Sequence, residues 1–450
     1  MARKFKTPDY ETVLKETITI GDCLHPDHLA RFIVKIISDM DLSSIYSRYG
    51  SVGGWPIAPP ILLGLIFYGY ATGVFSSRKI EKATYESIPF RFIAGGLHPD
   101  HDTIAYFRRR FLDEIKGLFV QILVIAQMNG KLTLGNISID GTKIHADASK
   151  SHAVSYKRLI ELEDQLKKEI EELFALSESE DSLPEKLDPE EEVKLRKERL
   201  ANLERAKEVL EERAKERYEA EFAEYESKVR ERQEKAEREK RKPRGRTPKP
   251  PTPGPQDKDQ YNFTDPESSI MKNSNNSGYD QHYNVQAAVD HDSLFIVANT
   301  VSNHPTDRIE ALPTLNAIPK EVGKPKAAAL DNGYFSPDNI LRIESLGIEP
   351  YIATGREPHH RSWKDYCFPE LTLPPDDATP IVKMAFKLRT EIGRAIYKLR
   401  KCTVEPVIGI IKEIIGFRQF SLRGYEGACG EWALVCIAFD LKRLHVLINS

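Results

Sequence analysis

Gly135-Asn-Ile-Ser-Ile-Asp-Gly-Thr-Lys143 decides how the rest of the chain is read. Apolar and polar residues alternate in it with a period of two, the pattern of a half-buried strand. The strand carries a carboxylate, Asp140. A second short apolar run, Lys326-Ala-Ala-Ala-Leu-Asp331, ends on another carboxylate and is followed by Asn-Gly-Tyr. A third acid, Glu405, lies in Tyr397-Lys-Leu-Arg-Lys-Cys-Thr-Val-Glu405, within a long helical pattern. Two carboxylates at strand ends and a third on a helix can converge on a pair of divalent metal ions. Such a site suits in-line attack on a phosphodiester.

Working outward, residues 283–289 and 294–301 read as strands joined by the turn Asp290-His-Asp-Ser293, hence a hairpin. Residues 306–317 read as a helix, 326–330 as a buried strand, 337–346 as a helix and 349–353 as a strand. Residues 380–415 read as a long helix broken or bent near Pro406, and 431–448 as a last, largely apolar helix. The order is that of an α/β domain with a mixed sheet and a large insertion after its first strand. Asp140 and Asp331 are then neighbours at strand ends, where α/β sheets place their ligands.

Residues 1–130 are expected to form an all-helical domain. Ser76-Ser77 is a plausible N-cap for a helix over 78–87, with Glu81 helping to close a capping box. Asp102-Thr103 is the expected cap of a helix over 104–128. That helix carries Arg108, Arg109 and Arg110, which spread around the circumference, so at least one must leave any single binding face. Residues 59–75 are apolar but short for a membrane span and interrupted by Pro and Gly, so a buried core helix is expected. Met-Ala-Arg-Lys-Phe-Lys at the start is not followed by a secretory apolar region. The five cysteines form no Cys-x-x-Cys pair, which argues against a zinc ribbon and suits a reducing compartment.

The net charge of −3 hides a segregation. Residues 157–240 hold 28 acidic and 20 basic side chains, a net of −8, so the remainder carries +5. Pro184 and Pro189 break this charged stretch in two. Leu159, Leu162, Leu166 and Ile170, then Leu195, Leu200, Leu203 and Leu210, give each piece an apolar stripe. An antiparallel helical hairpin is expected, with a partly disordered charged segment as the alternative. Residues 241–256 are a basic, Pro-rich linker, either a plain spacer or a segment that follows a phosphate backbone. The expected division is 1–130 helical and DNA-binding, 131–155 with 262–450 catalytic, 156–240 an inserted helical hairpin and 241–261 the linker.

The chain resembles the DDE transposases of bacterial insertion sequences, in the group with a Tyr-Arg-Glu-Lys motif. Tyr68-Gly-Tyr-Ala-Thr-Gly-Val-Phe-Ser-Ser-Arg-Lys-Ile80, Phe107-Arg-Arg-Arg110 and Ile139-Asp-Gly-Thr-Lys143 carry the likeness. So do Tyr283-Asn-Val-Gln-Ala-Ala-Val-Asp290, Asp331-Asn-Gly-Tyr-Phe335, Val404-Glu-Pro-Val-Ile-Gly-Ile-Ile-Lys412 and Gly430-Glu-Trp-Ala-Leu434. The resemblance implies a ribonuclease H-like catalytic domain, with Asp140, Asp331 and Glu405 as the catalytic triad and the metal ligands. It implies two Mg2+ ions, replaceable by Mn2+. It further implies double-stranded DNA, the element's terminal inverted repeats and a target, as substrate, a homodimer in the working complex, and a bacterial cytoplasmic, nucleoid-associated location. Asp140 is then the bridging ligand, with Asp331 on one ion and Glu405 on the other.

The helical motif has the form Tyr-x2-Arg-x3-Glu-x6-Lys. Tyr397, Glu405 and Lys412 fit it. Arg400 keeps the gap from Tyr397 and Lys401 keeps the gap to Glu405, so either takes the basic role. These residues are candidates for holding DNA phosphate or stacking a displaced base. In the helical region Arg78, Lys79, Lys82, Arg108, Arg109 and Arg110 are candidates for binding element ends. His145 and Asp147 stand at odd spacing from Asp140 and so face away from it. Asp265, Lys272, Asp280 and His282 either line a DNA channel or order the end of the insertion. A DNA-binding protein without chemistry and a stand-alone nuclease are the alternatives.

Overall fold

The computed structural model describes residues 19–50, 56–177, 189–239, 247–273, 278–355, 373–375 and 377–449. It falls into two compact units, Met1–Ala146 with Tyr283–Ser450, and Asp147–His282.

The first unit opens with α1 (Leu29–Ser38), α2 (Ser43–Tyr46), α3 (Pro59–Ala71), α4 (Ser77–Glu86), α5 (Ile88–Ile93), α6 (His101–Arg110) and α7 (Leu112–Met128). α3 is apolar on every face and buried along most of its length, which makes it the centre of this helical region. No helix among the described residues is long and apolar enough to cross a membrane. Two caps differ from expectation. The Ser76 side chain makes no capping hydrogen bond, and Glu81 accepts instead from the His101 backbone N–H (3.1 Å). Asp100, not Asp102 or Thr103, caps α6 by accepting from the Thr103 N–H (2.7 Å). The helix expected over 104–128 therefore starts earlier, and Phe111 separates it into α6 and α7.

β1 (Ile137–His145) follows and leads into the second unit. There, β2 (Ala153–Ser155), α8 (Tyr156–Ser177) and α9 (Pro189–Glu239) precede β3 (Gln260–Asn262) and β4 (Ser269–Lys272). α8 and α9 run antiparallel. Leu159 meets Leu203, Ala206 and Leu210 at one end, and Ile170 and Leu173 meet Val193 at the other. Leu195, expected in that seam, is 44% exposed, and Val193 fills the place. Pro184 lies outside the described residues. Pro189 begins α9, where a missing N–H costs nothing.

β5 (Tyr279–Asp290), β6 (Ile296–Ser302), α10 (Ala311–Asn316), β7 (Ala327–Leu330), α11 (Pro337–Ser345) and β8 (Glu349–Ile352) complete the sheet region. The first residues of β5 pair with β4, and the remainder pair antiparallel with β6. In the first unit the strand order is β6-β5-β1-β7-β8, with β1–β7 and β7–β8 parallel. This is a mixed sheet with N-terminal helices, as the strand order in the sequence implied. α10 is shorter than the helix expected over 306–317, because residues 307–310 form a turn instead.

The long helix expected over 380–415 is several pieces: α12 (Pro380–Arg389), α13 (Glu391–Leu399), a 3-10 turn at Arg400–Cys402, α14 (Val404–Gly409) and a π turn at Ile410–Ile414. One break falls at Thr390, and the other, over Arg400–Thr403, comes just before Pro406, near where it was expected. Pro406 sits in the first turn of α14, where backbone N–H groups have no helical partner to lose. α13 packs on β7 and β8, and α14 packs on β1. The last helix, α15 (Tyr425–Asn449), is buried along most of its length against α7, α3 and β6.

Candidate active site

The register of β1 and β7 pairs Ile137 with Ala328 and Ile139 with Leu330. The next residue on each strand is an acid, so Asp140 and Asp331 emerge side by side where the pairing ends. β7 is entirely buried and made of small apolar residues, so it sits inside the sheet between β1 and β8. Asp331 is held by its own turn, with Oδ1 accepting from the Gly333 N–H (2.7 Å). Asp140 Oδ1 accepts from the Gly141 N–H (3.0 Å).

Glu405 reaches the same place from α14. The link is Arg400, whose Nη1 donates to Asp140 Oδ2 (2.9 Å) and whose Nη2 donates to Glu405 Oε1 (2.8 Å). The Arg400 side chain is 12% exposed, and its Nε is buried without an acceptor. Its guanidinium also stands 6.0 Å from the centre of the Tyr397 ring, at the outer limit of a cation–π contact. The geometry thus puts Arg400, and not the exposed Lys401, on the acids. Lys412 Nζ donates to Thr142 Oγ1 (2.6 Å), two residues past Asp140.

Burial pushes the Asp140 carboxyl up to about 6. Arg400 and the Gly141 N–H pull it down, while Asp331 and Glu405 add to the rise. For Arg400, burial works against the charge, but Asp140, Tyr397, Glu405 and Asp331 outweigh it and raise the guanidinium further. Burial lowers Lys412. The site therefore gathers more negative than positive charge in a poorly solvated place.

Among the described residues no group of three or more His, Cys, Asp or Glu side chains is gathered tightly enough to hold a metal ion as it stands. Arg400 occupies the space between Asp140 and Glu405 instead. The donor set still fits a hard divalent cation in kind. It consists of carboxylate oxygens, and the one lying deepest is reluctant to ionise without more positive charge nearby.

A polar cluster that the sequence reading did not pick out adjoins the acids. Asn284 and Gln286, alternating on β5 and buried to 2% and 0% exposure, both donate to Asp307 Oδ1 (2.8 and 2.9 Å). The Tyr334 hydroxyl donates to Gln286 Oε1. Burial, then Asp307, Asp140 and Asp331, push the Tyr334 hydroxyl well above its ordinary range. The available signal was period-two polarity inside a strand that is otherwise buried; Asp307 itself was assigned to a helix.

The remaining candidates are dispersed. Arg78, Lys79 and Arg109 are exposed, and Lys82 pairs with Glu86 (3.5 Å). Arg108 turns inward, donating to the Tyr70 hydroxyl (2.8 Å) and the Phe75 carbonyl (3.2 Å). Arg110 donates to the Arg48 carbonyl and lies over the Tyr49, Tyr106 and Phe111 rings. The backbone of His145 forms a ladder with Arg418 and Phe420. Asp265, Lys272, Asp280 and His282 belong to the second unit, where Asp280 pairs with Lys150 (3.2 Å) and accepts from Asn273 (2.7 Å). His304, His359 and His360 have no metal-ligand spacing in the sequence; His304 pairs with Glu310 (2.9 Å), and His359 and His360 lie outside the described residues.

Two family models match the chain. One, described as Transposase domain (DUF772), covers residues 19–110, the span of α1 to α6. The other, described as Transposase DDE domain, covers residues 372–445, a span that includes Tyr397, Arg400, Glu405 and Lys412. The chain therefore carries a DDE transposase domain, the domain of a polynucleotidyl transferase, behind an N-terminal transposase domain. No curated protein and no solved structure matches it.

Proposed function

We propose that the chain cleaves DNA at the terminal inverted repeats of its own insertion sequence and joins the freed 3′ ends to target DNA. In this reading the catalytic domain is ribonuclease H-like and belongs to the group with the Tyr-Arg-Glu-Lys motif. One observation carries the proposal: Asp140 and Asp331 lie side by side where the parallel pairing of β1 and β7 ends, and Arg400 ties Asp140 to Glu405.

Asp140, Asp331 and Glu405 are the residues that would hold Mg2+, or Mn2+ in its place. Bound there, a pair of such ions supplies an activated water or 3′-hydroxyl and neutralises charge on the attacked phosphate. The chain's own residues do the rest. Asp331 is locked by the Gly333 N–H, so its carboxylate presents one orientation. Arg400 stands at the acids, where a guanidinium suits a phosphate oxygen brought in by the substrate. Lys412, half-buried on Thr142, offers a second cation beside Asp140. Tyr397 gives a ring on which a displaced base can stack. The exposed Arg78, Lys79 and Arg109 extend backbone contact into the helical region. Paired element ends call for two copies of the chain.

The experiment is Mg2+-dependent nicking of a labelled duplex carrying the element's end, with Asp331→Asn as control. Cleavage that Asp331→Asn abolishes, followed by strand joining when target plasmid is added, supports the full reading. Binding with no metal-dependent cleavage refutes the chemistry, and cleavage that never joins ends restricts the protein to a nuclease.

A further inference from the structure

We infer that Asp307 is a fourth carboxylate of the cation site, contributing its free Oδ2 on the side of Asp331. The inference rests on the metal-dependent reading above. Asp307 lies in the turn between β6 and α10, away from all three acids in sequence. Its two oxygens are treated unequally. Oδ1 accepts from both Asn284 and Gln286, two side chains themselves almost wholly buried. Among the described residues, none donates a hydrogen bond to Oδ2.

One glycine shows where Oδ2 is directed, and a second shows how closely the carboxylate approaches β1. A Cβ on Gly333 would stand 2.9 Å from Asp331 Oδ1 and 3.5 Å from Asp307 Oδ2, so both oxygens flank one point. A Cβ on Gly141, the residue after Asp140, would collide with Gln286 and stand 2.7 Å from Asp307 Oδ1. Bare backbone at both positions lets the fourth acid approach the place where Asp140 and Asp331 lie side by side. A buried amide pair that fixes one oxygen and leaves the other bare is costly to build for packing alone, since a neutral acceptor would satisfy both donors. A carboxylate in that position suits the waters that a hard cation keeps around itself.

The test is Mn2+ binding to the full chain, measured by calorimetry and by the loss of the free-ion electron paramagnetic signal. Asp307→Asn keeps an oxygen for Asn284 and Gln286 and replaces only Oδ2 by an uncharged NH2. The expected result is Mn2+ affinity lower by about tenfold or more, as for other outer partners of metal ligands, with an unchanged thermal melt. Wild-type affinity in Asp307→Asn overturns the inference and leaves Asp307 as a clamp for the two amides. Asp331→Asn is titrated beside it. If it loses Mn2+ while Asp307→Asn does not, only the present inference fails. If wild type binds no Mn2+, or Asp331→Asn binds it normally, the triad reading fails and takes this one with it. Should Asp307→Asn not fold, Asp307→Ser, also uncharged and able to accept, carries the same expectation.

Discussion

Replacing Asp140 with asparagine should stabilise the metal-free protein at neutral pH while removing the group central to its chemistry. The carboxyl ordinarily titrates at 3.8 and is pushed up to about 6 in the fold, chiefly by burial. Its side chain is only 19% exposed, so solvent does little to relieve it. That displacement corresponds to about 3 kcal/mol. Because the folded value lies above the unfolded one, the folded state binds the proton more tightly. Below about pH 3.8 the group is neutral in both states and contributes nothing. Stability then falls as pH rises through the interval from 3.8 to about 6, and above it the full penalty remains. Asparagine resembles the protonated acid and carries no such burden. The assay is urea unfolding in metal-free buffer at a series of pH values from 4 to 8, followed by tryptophan fluorescence, to which Trp432, buried in the same unit and bonded to the Gln286 carbonyl, contributes beside Trp55 and Trp363. The advantage of Asp140→Asn over wild type should grow by about 2.5 kcal/mol across the series, the rest having accrued below pH 4. Parallel stability curves for the two proteins would refute the argument that this acid is held ionised against its surroundings.

The other expectations concern neighbouring residues. Arg400→Ala should reduce cleavage of element ends by at least about tenfold, as expected for losing charge-assisted contacts of ~1.5–3 kcal/mol, whereas Lys401→Ala should stay within about twofold of wild type; parallel nicking assays decide between them. Gly141→Ala forces a methyl group against Gln286 and Asp307 and should cost ~1–3 kcal/mol in a denaturation midpoint. Tyr70→Phe removes a buried hydroxyl that donates to Glu431 (2.7 Å) and accepts from Arg108 (2.8 Å). It should destabilise the chain by ~1–3 kcal/mol, read by the same unfolding assay.

The positions of Asp140 and Asp331 were legible because strands announce themselves locally. A period of two marks β1, a run of small apolar residues marks β7, and parallel pairing of the two leaves little freedom in where their ends meet. Glu405 and its partners were legible as residues but not as geometry. Counting along one continuous helix left Arg400 and Lys401 equivalent. The 3-10 turn at Arg400–Cys402 and the break at Thr403 change the phase, and only the folded chain shows which cation faces inward. Helix breaks at threonine are hard to anticipate. Thr390 caps a new helix by accepting from the Gly393 N–H with no proline to announce it, whereas the break over Arg400–Thr403 comes just ahead of Pro406. Arg108 was legible only in part. Three adjacent arginines on a helix cannot share one face, but only the folded chain shows that the first is the one aimed into a buried network with Tyr70 and Glu431. Asp307 was hidden because the residues around it read as helix, and its significance comes from Asn284 and Gln286 on another element.

The central claim, that Asp140, Asp331 and Glu405 share a divalent cation site, is tested most directly by crystals of the protein soaked in Mn2+. The anomalous difference map should show manganese in direct contact with carboxylate oxygens of all three, with the Arg400 guanidinium displaced from between Asp140 and Glu405. A map with Arg400 still bridging the two acids at saturating Mn2+, and no peak beside Asp331, would contradict the account.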